Sequence, residues 1–198
     1  GVWDGKTAEA FVKGSGTKDD PFSILTPANL YFLSQNVGTD TYNAAYYVLE
    51  SDIDLGGNEW TPIGSAETPF RGHFDGAGYS VNNFHITREL PYAGVFGLIE
   101  NGVIAKLAVS NFTVNIQAAD TAAIYIGSVA GKIYTKGTSI LAEITECTAD
   151  GLIRASGDSI YAGGIVGEAV VSDDTMRLNI QNCYSLTAME INAKSLSM

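Results

Sequence analysis

The chain has 198 residues, of which 45% are hydrophobic and 17% are charged, a composition that is typical of an ordered domain and not of a disordered tail. Its 22 acidic side chains outnumber 11 basic ones, and the formal net charge of −11 disfavours nucleic acid and anionic lipid as partners. No apolar run approaches the roughly 18 residues that a membrane-spanning helix needs, so we expect no direct membrane insertion of this segment.

The first forty residues differ in character from the rest of the chain. There is no initiating Met and no signal peptide, which we interpret as a segment from which any targeting sequence has been removed. Gly, Asp and Pro dominate residues 14–24, which indicates a series of turns. Residues 26–36 then predict a short helix, because Thr26 can cap it and Pro27 suits its first position. We therefore assign residues 1–43 to an N-terminal lead-in and helical cap.

Residues 46–55 change to a period of two. Apolar side chains alternate with the carboxylates of Glu50, Asp52 and Asp54, a pattern that predicts one half-buried strand with its acidic side chains facing water. Three carboxylates on one strand face could hold calcium with help from loop carbonyls, because hard cations prefer oxygen ligands. The alternative is an ordinary solvated acidic face, and the pattern leaves both interpretations open.

One phrase then occurs three times: YAGVFG at 92–97, YIGSVAG at 125–131 and YAGGIVG at 161–167. The last glycines of the three copies are 34 and 36 residues apart (131 − 97 and 167 − 131), a period that is typical of stacked repeats. The repeated units are short β-branched and aromatic runs cut by glycines, with no helical period. This pattern predicts a parallel β-helix, a solenoid in which like residues stack at about 4.8 Å intervals. We assign residues 44–198 to this repeat region, which forms one continuous structural domain with the N-terminal cap.

Stacked repeats would place equivalent residues in columns. We expect Tyr92, Tyr125 and Tyr161 to fill the core or to form a stack, although an exposed coplanar pair of tyrosines would favour sugar binding. Cys147 and Cys183 are expected to share a second column. They are interpreted as a ladder of small buried side chains, with a disulfide as the alternative because the strand spacing allows one.

The repeated phrases, each followed by an apolar strand and then by LAVSNF or CYSLT, resemble the GLUG repeat. The preceding segments GSGTKDDPFSILTPANLYFLS, DIDLGGNEWTPIG and FRGHFDGAGYSVNNFHI look like the region that commonly precedes GLUG repeats in bacterial surface proteins, so the resemblance covers roughly residues 14–190. It implies a right-handed parallel β-helix on a secreted or surface-anchored bacterial protein of the adhesin-like kind. The family has no shared catalytic residues to carry over. The middle copy departs from the pattern, with Ser128 where the third copy has Gly164.

The candidate catalytic groups are few. His73 and His85 are the two histidines of the chain, and a base-catalytic pair is an alternative to their being packed or solvated. Asp75 and the glycines that follow suit a tight turn between strands, with Arg71 and Arg88 as the nearby cations. We therefore assign no catalytic, cofactor-binding or metal residue.

These observations favour a non-enzymatic extracellular or cell-surface module that adheres to a host or dietary glycan or protein. Two alternatives remain: a glycan-active β-helix enzyme of the polysaccharide lyase or hydrolase kind, and an accessory or spacer domain of a larger secreted protein. The prediction of surface display rests on fold-level analogy. The sequence does not indicate an oligomeric state.

Overall fold

The computed structural model describes residues 1–119, 122–137 and 141–198, with the backbone alone at residues 195 and 196. Its described part is all-β apart from one helix, α1, at Pro27–Asn36. No helix among these residues has the length and apolar character that crossing a membrane requires. The strands are β1 Phe22–Ile24, β2 Tyr46–Leu49, β3 Ile53–Glu59, β4 His73–Asp75, β5 Ser80–Ile86, β6 Tyr92–Ala93, β7 Phe96–Glu100, β8 Val103–Ala105, β9 Ala108–Gln117, β10 Ala123–Ile126, β11 Ala130–Tyr134, β12 Leu141–Thr145, β13 Thr148–Ala162, β14 Val166–Val170, β15 Arg177–Gln181, β16 Tyr184–Ser185 and β17 Ala188–Ser197.

The strands of the described residues form three sheets in which the paired strands run parallel. One sheet has six strands in the order β1-β2-β4-β8-β12-β15, and a second has three in the order β14-β11-β7. The third has eight strands, with the path β3-β5-β9-β13-β10-β6, and β16 and β17 also pair with β13. Since parallel strands cannot be joined by tight hairpins, each neighbour in a sheet comes from a distant part of the chain.

The prediction of a right-handed parallel β-helix solenoid is wrong, although the all-β, parallel-strand character is confirmed. The eight-stranded sheet curls into a half-barrel and the three sheets hold unequal numbers of strands, so the chain does not form a uniform solenoid. The long strand β13 pairs with β9 along one part and with β10 along another. A regular spacing in the sequence predicts which segments become neighbours, but it does not determine the curvature of a sheet or how a repeat is divided among sheets.

Helix α1 lies in the segment that the sequence indicates. The Thr26 side chain accepts a hydrogen bond from the Asn29 backbone N at 3.1 Å, which satisfies one of the free amides of the first turn. Leu30 and Leu33 are fully buried, and the Ser34 hydroxyl donates to a backbone carbonyl after β3. The helix is therefore held to the sheets by both apolar and polar contacts.

Trp60, just after β3, joins the N-terminal segment to the sheets. Its indole Nε1 donates to the Val95 carbonyl at 3.0 Å, and the residue is fully buried. Its ring centroid lies 6.4 Å from that of Trp3 and 6.3 Å from that of Tyr31 on α1. The side chain thus contacts the first residues of the chain, the helix and the repeated phrase at once.

The repeated phrases lie side by side in register, with Tyr125 paired to Tyr92 on one side and to Tyr161 on the other. A Cβ added to Gly131 would lie 2.7 Å from the Tyr125 carbonyl oxygen and 2.9 Å from the Gly97 carbonyl oxygen. Both are backbone atoms that cannot move aside. Glycine is required here because neighbouring backbones approach too closely for a side chain, and not because of a left-handed conformation.

Each repeat also bends sharply at a residue that carries a side chain. Lys106, Glu146 and Asn182 have φ values of 55°, 53° and 55°, in the left-handed region that usually favours glycine. They immediately precede Leu107, Cys147 and Cys183, the residues that begin the next matching segments. Lys and Glu are not typical of this conformation, so no residue pattern predicts a sharp bend at positions 106 and 146.

The predicted single strand over residues 46–55 is two strands. β2 ends at Leu49 in the six-stranded sheet, and β3 begins at Ile53 in the eight-stranded sheet. Residues 50–52 turn the chain from one sheet to the other, and the Ser51 hydroxyl donates to the Leu25 carbonyl at 2.8 Å. The alternating pattern continues through the bend, because both strands have one buried and one wet face.

Apolar side chains become exposed toward the last strands, β14 to β17. Strands β14 and β15 end their sheets, and their neighbourhood includes Ile180, Tyr184 and Leu186 with 40%, 60% and 61% of their surface exposed. The matching side chains of earlier strands, such as Ile144, are fully buried. This end of the fold therefore has less apolar burial to hold it in place than the rest.

Candidate ligand-binding surface

Tyr92, Tyr125 and Tyr161 form a stack on the outer side of the eight-stranded sheet, which we call the tyrosine column. Their ring centroids are 5.3 Å and 4.6 Å apart, and the interplanar angles are 23° and 13°. Ile124 and Ile126, the neighbours of Tyr125 in β10, are fully buried. Because side chains alternate along a strand, Tyr125 points outward. All three tyrosines are half-buried.

An ion pair flanks the tyrosine column from the three-stranded sheet. Lys132 and Glu168 are paired in register on β11 and β14, and Lys132 Nζ lies 2.5 Å from Glu168 Oε2. The same Nζ is 4.9 Å from the ring centroid of Tyr125, so the outer faces of the two sheets meet here. Burial alone would lower the pKa of Lys132, but the Glu168 carboxylate outweighs it and raises that pKa. We call these two residues with the tyrosine column the column surface.

The column surface can form hydrogen bonds along its length. The stacked rings cover one another's faces, which leaves their hydroxyl edges for contact. Within the described part of the chain, tyrosine hydroxyls that hydrogen-bond to protein belong to Tyr47 and Tyr134, and the three hydroxyls of the column make no such bond. The surface therefore offers a row of donor–acceptor hydroxyls beside one cation and one anion.

Next to this surface, Glu100 forms a nearly buried polar cluster. Only 6% of the residue is exposed; its carboxylate accepts from Arg71 Nε at 2.6 Å and from the Tyr134 hydroxyl, and Lys136 Nζ lies 4.0 Å away. Burial raises the pKa of Glu100, but the bonds from Tyr134 and Arg71 outweigh it, so that pKa lies below its ordinary value. Burial and the same carboxylate raise the pKa of Tyr134 to about 12.

We expect Glu100 to make the fold sensitive to acid. Because its folded pKa is depressed, its contribution to stability is complete above the unfolded pKa of about 4.3 and is lost as the pH falls through the lower folded pKa. Glu100→Gln should cost about 1–3 kcal/mol at pH 7, and the difference from the unmodified chain should shrink at pH 3. Urea unfolding at both pH values measures this. The exposed Glu67→Gln is the matched control, and an equal loss at both pH values for Glu100→Gln would contradict the assignment.

The two histidines do not come together. His73 lies on β4 in the six-stranded sheet, where its ring stacks on Tyr46 with centroids 4.3 Å apart. Burial lowers the pKa of His73, and the charge of Lys18 acts in the same direction. His85 lies on β5 in the eight-stranded sheet, with Nε2 3.1 Å from Glu59 Oε2. The structure therefore gives the base-catalytic pair no support.

The three carboxylates that could have held calcium are each bound elsewhere. Glu50 accepts from Lys13 Nζ at 2.6 Å, Asp52 accepts from the Ser80 backbone N at 2.8 Å, and Asp54 accepts from the backbone amide two residues later. Glu50 also lies outside the strand that carries Asp54. Among the described residues there is no group of three or more His, Cys, Asp or Glu placed to hold a metal ion. The calcium hypothesis gains no support from this geometry.

The remaining sequence candidates form local structure. Asp75 Oδ1 accepts from the Ala77 backbone N at 2.7 Å, which is the hydrogen bond expected of a turn. Arg71 is held by Glu100, and Arg88 Nε lies 3.4 Å from a carboxylate oxygen of Glu59. Neither arginine is positioned as part of a shared cluster around Asp75.

A groove of about 740 Å³ lies beside the first residues of the chain and is lined in part by Trp3, Asp4, Asp52 and Asp54. The carboxylates of Asp4, Asp52 and Asp54 are hydrogen-bonded within the protein. The Thr7 hydroxyl and nearby backbone amides bind the Asp4 carboxylate and lower its pKa to about 2. We regard this groove as a weaker candidate site than the column surface, because three of its carboxylates already have partners, whereas the hydroxyls of the tyrosine column make no hydrogen bond within the described residues.

Sequence reasoning identified the tyrosines but not their charged neighbours. Lys132 and Glu168 each follow the last glycine of a repeated phrase, and Leu98 occupies the same place in the first copy. A comparison of the residue after each phrase would have placed them in one column. Glu100 had no such signal, because its partners Arg71 and Tyr134 lie 29 and 34 residues away in the chain.

Two known proteins are similar to this chain over a small part of their own length. No protein-family model matches the chain. A protein named "Putative Gly-rich membrane protein" from Evansella cellulosilytica is 34% identical over 145 residues, which are 69% of this chain and 16% of that protein. The protein named "Halomucin" from Haloquadratum walsbyi is 32% identical over 189 residues, which are 87% of this chain and 2% of that protein. The chain thus spans less than a fifth of the length of either relative.

One solved structure is similar over most of the chain. The crystal structure of "a putative immunoglobulin A1 protease" from Bacteroides ovatus shares 15% identity, covers 95% of this chain and 87% of that chain, and superposes with a TM-score of 0.46. At this TM-score the likeness establishes neither a shared fold nor a shared activity. The resemblance to GLUG repeats stays a prediction.

Proposed function

We propose that the chain is a non-enzymatic, extracellular ligand-binding module that is displayed at the cell surface as part of a longer protein. The observation that carries this proposal is the column surface, where three tyrosine hydroxyls lie in a row beside the Lys132–Glu168 pair and make no hydrogen bond within the described residues. Two relatives much longer than this chain, one named as a membrane protein and one as a halomucin, agree with display on a cell surface. Membership of the GLUG-repeat surface proteins is part of the same proposal.

The ligand class that suits this surface best is a glycan. Sugar hydroxyls both donate and accept hydrogen bonds, and so do the tyrosine hydroxyls, while Lys132 and Glu168 add one charged donor and one charged acceptor. Stacking of a sugar ring on a tyrosine face is disfavoured, because each face inside the column is covered by the next ring. Recognition would therefore depend on hydrogen bonds spaced along the column.

The test is binding of the chain to an array of glycans and host proteins, followed by variants. Tyr125→Phe removes one hydroxyl and keeps the stacked ring, so we expect affinity for the bound glycan to fall roughly 3–10-fold, as for one hydrogen bond. Tyr79→Phe is the matched control, because Tyr79 is exposed and lies outside the column.

Four outcomes would contradict the proposal. Equal affinities of Tyr125→Phe and Tyr79→Phe would remove the column surface from the binding site. Binding to no glycan and to no host protein would overturn the ligand class and favour a spacer domain. Binding to host proteins alone would overturn the ligand class. Turnover of a polysaccharide by the unmodified chain would overturn the non-enzymatic part and favour the glycan-active enzyme.

A further inference from the structure

Cys147 and Cys183 occupy opposite positions on neighbouring segments of the chain. The residues before them pair in register, Thr145 with Gln181, and the Tyr184 backbone N donates to the Cys147 carbonyl at 3.0 Å. Neighbouring parallel strands lie about 4.8 Å apart, so the two Cα atoms fall in the range of roughly 4.4–6.8 Å that a disulfide spans. The backbone geometry therefore permits a direct bond.

The two thiols also point the same way. Cys147 Sγ lies 3.3 Å from the carbonyl oxygen two residues before it, and Cys183 Sγ lies 3.3 Å from the equivalent oxygen. Cys183 Sγ additionally lies 3.5 Å from the Ile144 carbonyl oxygen, which belongs to the segment of Cys147. Both residues are free thiols. To form the bond, each thiol has only to give up its weak contact with a carbonyl oxygen.

The two cysteines differ in access. Cys147 is fully buried, and burial raises the pKa of its thiol to about 12. Cys183 is only half-buried, since it lies between β15 and β16 near the exposed end of the fold. A reagent in solution therefore reaches Cys183 first, and Cys147 is positioned as the resolving thiol behind it.

We propose that Cys147 and Cys183 are a modification site at which a small disulfide compound, such as oxidised glutathione, introduces a protein disulfide. The Cys183 thiolate attacks one sulfur of the oxidant, which forms a mixed disulfide and releases one glutathione thiol. Cys147 then loses its proton and its thiolate attacks the Cys183 sulfur, which breaks the mixed disulfide and releases the second glutathione thiol. Two protein thiols are oxidised, and one glutathione disulfide is reduced to two thiols.

The bond would secure the weakest part of the fold. It closes a loop from residue 147 to residue 183, which includes Tyr161 of the tyrosine column and all of β14. It ties the partly exposed segment of Cys183 to the fully buried segment of Cys147. A cross-link that closes a loop of this length restricts the unfolded chain strongly, so it should raise the melting temperature by roughly 5–10 °C.

The experiment treats the folded chain with oxidised glutathione and measures intact mass, free thiols after denaturation and melting temperature. We expect the mass to fall by two hydrogens, both thiols to disappear and the melting temperature to rise by the stated amount. In Cys147→Ala, we expect the intermediate to be trapped, with one glutathione retained on Cys183. In Cys183→Ala, the buried Cys147 should remain a free thiol.

These variants separate the proposal from a general loss of folding, because the trapped glutathione is read by mass and not by stability. The proposal is overturned if the unmodified chain keeps both thiols, if it retains glutathione on Cys183, or if it forms disulfide-linked dimers. A linked chain that melts at or below the temperature of the reduced chain would overturn the stabilising role.

Discussion

Gly131→Ala should destabilise the fold by about 3 kcal/mol, because the added methyl group would collide with backbone on several sides. The added Cβ would meet three backbone atoms at 2.7–2.9 Å, namely the Tyr125 oxygen, the Ala93 nitrogen and the Gly97 oxygen. All three belong to sheet backbone that is fixed by the neighbouring strands. The change also separates the strands that carry the tyrosine column, so ligand binding should weaken together with stability.

Urea unfolding followed by circular dichroism measures the cost. Gly78→Ala is the matched control, because Gly78 has φ +85° but no atom within 4 Å of the added Cβ, so it reports backbone strain without a clash. We expect about 1 kcal/mol for this control, and a melting temperature some 6–12 °C lower for Gly131→Ala. Equal losses in the two variants would mean that close backbone approach does not explain the recurring glycines.

Trp60→Ala should cost about 3–5 kcal/mol, because it removes a fully buried ring and leaves the Val95 carbonyl without its indole donor. It also removes the aromatic contacts that Trp3 and Tyr31 make with Trp60. The N-terminal residues should therefore detach more often than the rest of the chain unfolds.

Two measurements separate these effects. Urea unfolding gives the total loss, and trypsin cleavage after Lys6, Lys13 and Lys18 under native conditions reports detachment of the N-terminal segment. Trp60→Phe, which keeps an aromatic ring but not the indole donor, should cost about 1–2 kcal/mol and change cleavage little. If Trp60→Ala unfolds at a lower urea concentration while the rate of trypsin cleavage stays unchanged, Trp60 does not anchor the N-terminal segment.

The sequence predicted neighbours in the fold better than it predicted the shape of the fold. Matching phrases indicated that Tyr92, Tyr125 and Tyr161 would share a column, either in the core or as a stack, and the structure places them in adjacent register as a half-buried stack. The repeat spacing could not reveal that β13 would run on as one strand where the matching part of the chain is divided between β9 and β10. The curled sheet that results depends on contacts along the whole strand, which no local pattern encodes.

The candidate site was predicted in part for a similar reason. An aromatic residue recurring in one phrase is visible in the sequence, whereas the Glu100 cluster depends on three segments that only the folded chain brings together. The alternation over residues 46–55 was misleading, because one continuous pattern runs through the change of sheet at residues 50–52. Periodicity reports which side of a strand is wet, but it does not report where a strand ends.

The bend formed by Lys106, Glu146 and Asn182 has a practical consequence. The backbone has the same left-handed conformation at all three positions, although the polar side chains differ. These positions therefore tolerate different side chains, whereas Gly131 does not. Fluorophores, affinity handles or grafted charges could be introduced at these three positions along one edge while the packing of the sheets is preserved. Protein engineering of this molecule should therefore begin at these three positions and leave tightly packed glycines such as Gly131 unchanged.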